Sequence, residues 1–277
     1  MFVVTGATGN VGRPLVQALA EASEKVTAVS RRPAPGAVPE GVRHVAADLT
    51  DPESMRPALD GAEVLFLLVA AEGLEPDGVL DVVKSSGVRR IVMLSSQGAG
   101  TRPANPSHAP LRVFEDAVKQ TGLAWTILRP GGFASNAYWW AEPIREHRTV
   151  VAPFGDVGLP LVDPADIAAV AATVMRDGTH AGRTYVLTGP EPVTPREQAR
   201  AIAGALGEGV EFVEQTRAEA RAAMSRFMPE VVVDGTLEIL GEPTEAERRV
   251  SPDVPAVLGR PAGTFAEWAG RNAAAFK

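Results

Sequence analysis

The chain has 277 residues, 45% hydrophobic and 22% charged, which is enough for one large α/β domain, alone or with a smaller companion. It contains no cysteine, and this excludes disulfides, thiolate metal sites, iron–sulfur clusters and a cysteine nucleophile. Its net charge of -7 and the lack of a lysine- or arginine-rich run argue against nucleic acid or an anionic membrane as a partner.

Short apolar runs rich in β-branched residues alternate with helical patterns through the first half of the chain. The runs predict strands at residues 2–6, 25–30, 43–47, 64–69, 90–95 and 125–129, and the patterns predict helices near residues 10–22, 53–59, 77–86 and 110–120. Several runs are apolar throughout, as expected of strands covered by helices on both faces. This alternation predicts an α/β fold of the Rossmann type, with a doubly wound parallel sheet.

The second half carries clear helix starts. Asp163-Pro164 has the form of an N-cap followed by the first helical turn, and three Thr-x-x-Glu sequences have the spacing of a capping box. These boxes begin at Thr194, Thr216 and Thr264. We predict a dinucleotide-binding domain at residues 1–150 and a smaller, mainly helical C-terminal substrate domain at 151–277. The segment 151–190 is expected to return partly to the first domain.

The predicted location is the cytoplasm. A strand is predicted from residue 2, directly before a glycine turn, which leaves no room for a signal peptide. No apolar run approaches the roughly 20 residues of a membrane span.

A glycine turn follows the first predicted strand and opens the first predicted helix. Gly6, Gly9 and Gly12 are spaced G-x-x-G-x-x-G, which suits a tight turn, close approach of a pyrophosphate and close packing of helix on sheet. The free amides at the helix start then face the phosphates. The pattern predicts a dinucleotide site that also includes Thr8, Asn10 and Val11.

The end of the second strand indicates which dinucleotide binds. An NAD site favours a carboxylate there, whereas this chain has Arg31 and Arg32, which suit the 2′-phosphate of NADP(H). We therefore predict NADP(H) in preference to NAD(H), although the two arginines could also be a solvated surface pair. Asp48 and Leu49 follow the third strand, where the adenine edge would lie. The alternative is a helix cap there, built by Thr50 with Glu53.

The chain resembles a known family across nearly its whole length. In order it contains TGATGNVG, SRRP, AADLTD, VMLSSQGA, FEDAVKQTGLAWTILRPGGFASN, VDPADIAAVAATVM and YVLTGPEPVTPREQARAI. These segments are similar to NmrA-like proteins, which are atypical short-chain dehydrogenases/reductases and include quinone reductase-like and azoreductase-like members. The resemblance implies a Rossmann domain, a smaller C-terminal domain and a substrate cleft between them. The family holds both NAD(P)H-dependent reductases and redox-sensing regulators without turnover.

No Tyr-x-x-x-Lys pair exists in this sequence. The only tyrosines are Tyr138 and Tyr185, and neither has a lysine four residues later. An acceptor that spreads the charge of a transferred hydride needs little acid assistance, so a quinone, azo compound or conjugated enone is expected rather than a simple ketone. Ser95 and Ser96 are candidate donors to an oxyanion, or only cap the strand end. His108 is a candidate proton donor, or only orients the next helix.

An aromatic cluster follows the sixth predicted strand. Pro130 and Gly131 are expected to pass close to the nicotinamide ring, and Val69 to border the same cofactor after the fourth strand. The sequence has only 5% aromatic residues, so their concentration here predicts a wall for a flat ligand. The predicted substrate-binding residues are Phe133, Asn136, Trp139, Trp140, Met224 and Phe227. The alternative is that the residues after the sixth strand pack an interdomain core, and that Met224 and Phe227 belong to the buried stripe of a helix.

The favoured function is an NADPH-dependent oxidoreductase that transfers a hydride to a planar, conjugated small molecule. The alternatives are a non-catalytic NADP(H) sensor of NmrA type, or a ketoreductase, imine reductase or non-redox enzyme on the same fold. We expect no metal and no flavin. We also expect no nucleic-acid or membrane partner, and a monomer or homodimer.

Overall fold

A parallel sheet forms the centre of the molecule. The structure, a computed structural model, describes residues 1–34, 36–69 and 73–277. Its strands are β1 (Phe2–Val4), β2 (Val26–Ser30), β3 (Arg43–Ala46), β4 (Val64–Leu68), β5 (Arg90–Leu94), β6 (Ala124–Pro130), β7 (Thr149–Ala152), β8 (Arg183–Leu187) and β9 (Glu211–Glu214). Seven of them form one parallel sheet in the order β3-β2-β1-β4-β5-β6-β8, and β7 pairs with β9 in a separate parallel sheet.

Helices cover both faces of the large sheet and form most of the C-terminal part. They are α1 (Gly12–Glu21), α2 (Arg56–Leu59), α3 (Pro76–Lys84), α4 (Gln97–Thr101), α5 (Ala109–Gln120), α6 (Ala141–His147), α7 (Pro164–Arg176), α8 (Pro195–Leu206), α9 (Arg217–Met224), α10 (Glu230–Gly241), α11 (Glu245–Arg248), α12 (Asp253–Leu258) and α13 (Phe265–Asn272). Short 3-10 helices occupy Pro52–Met55, Pro106–His108, Ala134–Trp140, Gly178–His180 and Ala273–Phe276. In the part of the chain that the structure describes, no helix has the length and apolarity needed to cross a bilayer.

The predicted fold class is confirmed. All six strands predicted in the first half form. The inner strands are buried on both faces of the sheet, as β4 is at its first four positions, whereas β3 at the edge is partly exposed. One face packs on α1 and α7 around Leu15, Phe66 and Ile167. The other packs on α3 and α5 around Met93, Phe114 and Ile127. Thr194, Thr216 and Thr264 form the predicted capping boxes, and Thr244 forms a further one.

The first strand of the chain, β1, lies inside the sheet, and a crevice opens beside its carboxyl end. Phe2 of β1 pairs with Val26 on one side and with Val64 on the other, so the chain winds outward from β1 in both directions. In such a sheet, the connections that follow two neighbouring strands run to opposite faces. A crevice then opens at the carboxyl ends of these strands, and ligands bind there.

The C-terminal part returns to the large sheet more than once. The predicted boundary at residue 150 falls inside β7, while α7 packs on α1 and β8 extends the sheet beyond β6. Later in the chain, α12 packs on α7 and β8. A further core is formed by α6, β7 and the 3-10 helix Ala134–Trp140 together with α8 and α13, and it includes Ile144, Ile202 and Trp268.

A buried ion pair connects α11 to the end of α4. Arg102 donates from Nε and Nη2 to the two carboxylate oxygens of Glu247, at 2.8 and 2.9 Å, and Thr101 donates to the same carboxylate at 2.7 Å. The Glu247 side chain is only 2% exposed. Burial raises the pKa of Glu247, but these hydrogen bonds and that from Thr244 outweigh it, so the pKa lies below its ordinary value. The carboxylate therefore stays charged in the folded protein.

We expect Glu247→Gln to lower the free energy of unfolding by about 3 kcal/mol, because the partly buried guanidinium of Arg102 then keeps only the more exposed carboxylate of Glu238, at 3.4 Å, as an ion-pair partner among the described residues. Urea denaturation at neutral pH measures the change. Glu245→Gln, which breaks only an exposed pair with Arg249, is the matched control and should leave stability nearly unchanged. Equal losses in the two variants would contradict this account.

Candidate cofactor and active site

The glycine turn after β1 allows α1 to start very close to the sheet. Gly6 adopts a φ of +61°, a conformation that favours glycine. A Cβ added to Gly12 would lie 2.1 Å from the carbonyl oxygen of Gly6, so no side chain fits at this position. The backbone N–H of Ala7 donates to the carbonyl of Val29 at 3.1 Å and ties the turn to β2. Backbone and helix are thus held in the arrangement that a pyrophosphate requires.

The first turn of α1 presents unused donors. Val11 is its N-cap residue, and its side chain makes no capping hydrogen bond. The backbone N–H groups of Asn10, Val11 and Gly12 donate to no protein acceptor among the described residues. Open amides at a helix N-terminus attract phosphate oxygens. The amides and the close glycine contact both fit the pyrophosphate of a dinucleotide.

Arg31, Arg32 and Asp48 lie at the ends of β2 and β3. Both arginines are exposed, and neither forms an ion pair with a residue the structure describes. Hydrogen bonds from Thr50 and the nearby charge of Arg31 lower the pKa of Asp48 below its ordinary value of 3.8. Leu49 is half-buried against the core beneath.

The alternative capping box at Thr50 and Glu53 does not form. The side chain of Asp48 instead accepts from the backbone N–H of Thr50 at 3.0 Å, and Glu53 pairs with Arg56 at 2.5 Å. Arg31 and Asp48 lie close enough for the charge of Arg31 to lower the pKa of Asp48. Both residues follow strand ends where the adenosine is expected.

Arg13 is a candidate residue that sequence reasoning missed. It lines a cavity of about 330 Å³ between the first turns of α1 and the loop after β2, together with Ala7, Val16, Gln17, Gly36, Ala37, Val38 and Pro39. The spacing of residues 13, 16 and 17 places them on one face of the helix. The signal was an arginine directly after the third glycine. The sequence does not show that the loop after β2 folds over this face of α1, and that fold is what makes Arg13 a candidate.

Ser95, Ser96 and the Pro130–Gly131 segment lie side by side at the ends of β5 and β6. The backbone N–H of Ser95 donates to Leu128 at 2.7 Å, and that of Gly131 donates to Leu187 at 2.9 Å. Ser95 Oγ donates to Glu115 at 2.6 Å, which directs its proton into the interior. Ser96 Oγ accepts from the N–H of Gly98 at 3.2 Å and caps α4. Val69 follows β4 at the same edge and is half-buried.

Glu115 and Arg129 form a buried pair that the sequence did not reveal. Glu115 is 1% exposed and accepts from Nε and Nη2 of Arg129 at 2.9 and 2.5 Å. Burial raises the pKa of Glu115, but hydrogen bonds from Arg129 and Ser95 and the charge of Lys119 outweigh it, so the pKa lies below its ordinary value. The carboxylate is therefore ionised at neutral pH.

His108 packs over α4. Its Nδ1 lies 2.9 Å from Ser107 Oγ, and a Cβ added to Gly98 would meet Nε2 at 2.4 Å. Burial and the charge of Arg112 lower the pKa of His108 below its ordinary value of 6.5. The imidazole is consequently neutral at pH 7, which makes it a poor proton donor at that pH.

Two exposed aromatic rings, Trp139 and Phe227, lie close to each other. Trp139 is 62% exposed and Phe227 is 72% exposed, although their ring centroids lie only 5.9 Å apart. Asn136, in the same 3-10 helix as Trp139, is also exposed. Trp139 belongs to the segment after β6, whereas Phe227 follows α9, so the pair joins two segments that are far apart in the sequence.

The other predicted substrate-binding residues are packed more deeply. Phe133 packs against the core beside α1 and α7, Trp140 against the C-terminal core, and Met224 against a small cluster that includes Val233 and Leu237. For these three residues, the packing agrees with the alternative in which they belong to the protein's own cores. Their contact with substrate stays a prediction.

Both tyrosine hydroxyls are already engaged. Tyr138 donates to Asn272 Oδ1 at 2.5 Å, and its ring stacks on Phe276 at 6.0 Å. The hydroxyl of Tyr185 lies 2.6 Å from Nδ1 of His180. Both contacts are within the C-terminal core or at the edge of the sheet formed by β8. Among the described residues, no group of three His, Asp or Glu side chains could hold a metal ion.

A glycine turn with open amides, placed at the switch point of a parallel sheet, defines a Rossmann-type dinucleotide-binding protein. Residues 6–178 match the NAD(P)H-binding family. The chain is 36% identical to (4-alkanoyl-5-oxo-2,5-dihydrofuran-3-yl)methyl phosphate reductase of Streptomyces griseus, over 100% of this chain and 99% of the relative. It is 34% identical to NAD(P)H azoreductase of Xenophilus azovorans, with the same coverage.

A solved structure shows the same architecture. The NADPH-dependent quinone oxidoreductase of Escherichia coli, complexed with NADPH, superposes with a TM-score of 0.83 at 26% identity, covering 98% of this chain and 99% of that one. The chain belongs to the NAD(P)H-binding family and is an NAD(P)H-dependent oxidoreductase of the atypical, NmrA-like type. The resemblance drawn from the sequence motifs is confirmed.

We expect Gly12→Ala to weaken NADPH binding at least tenfold, about 1.4 kcal/mol, because the added methyl pushes α1 away from the Gly6 carbonyl. Titration calorimetry measures the affinity. Gly204→Ala in α8 adds the same methyl where no atom lies within 4 Å, so it should leave NADPH affinity unchanged. An unaltered affinity in Gly12→Ala would remove this turn from the cofactor site.

Proposed function

We propose that the protein is an NADPH-dependent reductase of planar, conjugated acceptors such as quinones, azo compounds and enones, and that it works without a tyrosine–lysine relay. The exposed aromatic pair of Trp139 and Phe227 carries this proposal. Flat, conjugated molecules stack favourably on such rings. The names of two full-length relatives, an azoreductase and a reductase of an acyl-substituted unsaturated lactone, support the same class.

The proton requirement of the reaction agrees with the residues present. Bound NADPH supplies a hydride from C4 of its nicotinamide ring. Quinones, azo compounds and enones delocalise the negative charge that they then acquire, so water can complete the protonation. The Ser96 hydroxyl proton has no protein acceptor among the described residues, and we assign it to the developing oxyanion. The proposal does not depend on His108, since its imidazole is neutral at pH 7.

The preference for NADPH is assigned to the cationic edge beside the glycine turn. Arg31 is the main candidate for the 2′-phosphate, with Arg32 as its partner, and Arg13 lines the adjacent cavity from α1. An exposed guanidinium near Asp48 can grip a dianion through paired, charge-assisted hydrogen bonds. Asp48 and Leu49 would then border the adenine.

Arg31→Ala should reduce the preference for NADPH over NADH, as a ratio of kcat/KM values, by about tenfold or more, because hydrogen bonds to a charged group are lost. Steady-state kinetics with both reduced coenzymes and one quinone measures the ratio. Arg43→Ala removes the same charge from the amino end of β3 and serves as the control. A ratio that stays at the wild-type value would exclude Arg31 from the 2′-phosphate site.

A screen of NADPH oxidation against quinones, azo dyes, enones and simple ketones tests the acceptor class. We expect turnover with the first three groups and little with ketones. In the same assay, Trp139→Ala should raise the KM for planar acceptors about tenfold because a stacking surface is lost, whereas Trp139→Phe should largely restore it. Efficient reversible oxidation of a plain secondary alcohol, or an unchanged KM in Trp139→Ala, would refute the proposal.

A further inference from the structure

The buried cluster of Ser95, Glu115 and Arg129 joins three elements. Ser95 follows β5, Arg129 lies in β6 one residue before Pro130, and Glu115 lies on α5. Glu115 accepts three hydrogen bonds, from Ser95 Oγ at 2.6 Å and from two nitrogens of Arg129 at 2.9 and 2.5 Å. One carboxylate thus fixes the ends of two neighbouring strands and the helix that covers them.

The two strand ends that Glu115 fixes belong to the second half of the sheet. A dinucleotide spans the crevice with one mononucleotide on each half of such a sheet. The glycine turn and Arg31 lie at the β1–β2–β3 half, which leaves the ends of β5 and β6 for the nicotinamide half. Glu115 itself is buried beneath these ends and has no surface with which to contact a cofactor.

Arg129 extends the cluster toward α4. A Cβ added to Gly100 would lie 2.4 Å from its Nη1, so the guanidinium rests directly on that helix. Gln97, at the start of α4, has its Oε1 3.1 Å from a Cβ added to Gly131. The position of α4 and the path of the chain after Pro130 are therefore coupled to the same ion pair.

We propose that Glu115 is a positioning residue: through Arg129 and Ser95 it holds the β5 and β6 ends in the geometry that binds the nicotinamide half of the coenzyme. The claim goes beyond the function proposed above, since it depends on the nicotinamide coenzyme and not on the acceptor class. Loss of a purely structural ion pair would weaken the binding of both halves of the coenzyme. Loss of a positioning residue should weaken the binding of the nicotinamide half alone.

The test separates the two halves by comparing NADPH with 2′,5′-ADP, which contains only the adenosine half. In Glu115→Gln we expect calorimetry to show at least tenfold weaker binding of NADPH and 2′,5′-ADP affinity within twofold of wild type. We expect kcat to fall at least tenfold. Equal weakening of both ligands, or no change in either, would overturn the proposal.

A second variant covers the case in which Glu115→Gln fails to fold because the Arg129 charge is left unpaired. The double substitution Glu115→Leu with Arg129→Met removes both charges, and apolar replacement of a buried ion pair is often neutral or stabilising. We expect thermal stability to recover while NADPH affinity and kcat stay low. Recovery of all three would show that the pair acts only in folding.

Glu247→Gln is the matched control, because it breaks another buried carboxylate–arginine pair, between Glu247 on α11 and Arg102 after α4. It should lower stability while leaving the ratio of NADPH to 2′,5′-ADP affinity unchanged. A shift of that ratio equal to the one in Glu115→Gln would mean that general loosening, and not positioning, causes the defect. These binding measurements need no acceptor, so they stay interpretable if the proposed acceptor class is wrong.

Discussion

The contact between Gly12 and the carbonyl of Gly6 is the constraint on which the cofactor site depends. It brings the first turn of α1 so close to the turn after β1 that no side chain fits at Gly12, and the amides of Asn10 and Val11 have no protein acceptor among the described residues. The same approach lets Leu15 and Leu19 pack into the core beside β1. One steric requirement therefore shapes both the binding loop and the packing of the helix behind it.

Two buried carboxylates each tie together elements that are distant in the sequence. Glu115 joins the ends of β5 and β6 to α5, and Glu247 joins α11 to the end of α4. Each is held ionised by an arginine and by a hydroxyl that donates to it. A buried charge with a single good arrangement of partners favours one geometry over nearby ones, and both arrangements converge on α4.

The proposed acceptor chemistry is based on two features: the candidate proton donors are engaged or neutral, and two aromatic rings are exposed. Both tyrosine hydroxyls are engaged away from the strand ends, and His108 is neutral at pH 7. A pair of exposed rings, Trp139 and Phe227, offers a stacking surface. These features support the proposed acceptors, which need stacking and little proton assistance, over acceptors that need a strong acid.

The sequence by itself determined the parallel sheet, the glycine turn, the helix caps and the family, because all of these depend on residues close together in the chain. It did not reveal β8 as the seventh strand, since the run 183–187 is partly exposed at the edge of the sheet. The pairing of Glu115 with Arg129 and Ser95, and of Trp139 with Phe227, joins residues 14 to 88 positions apart. Only the tertiary structure decided those partners, because the packing of helices on the sheet brings them within reach.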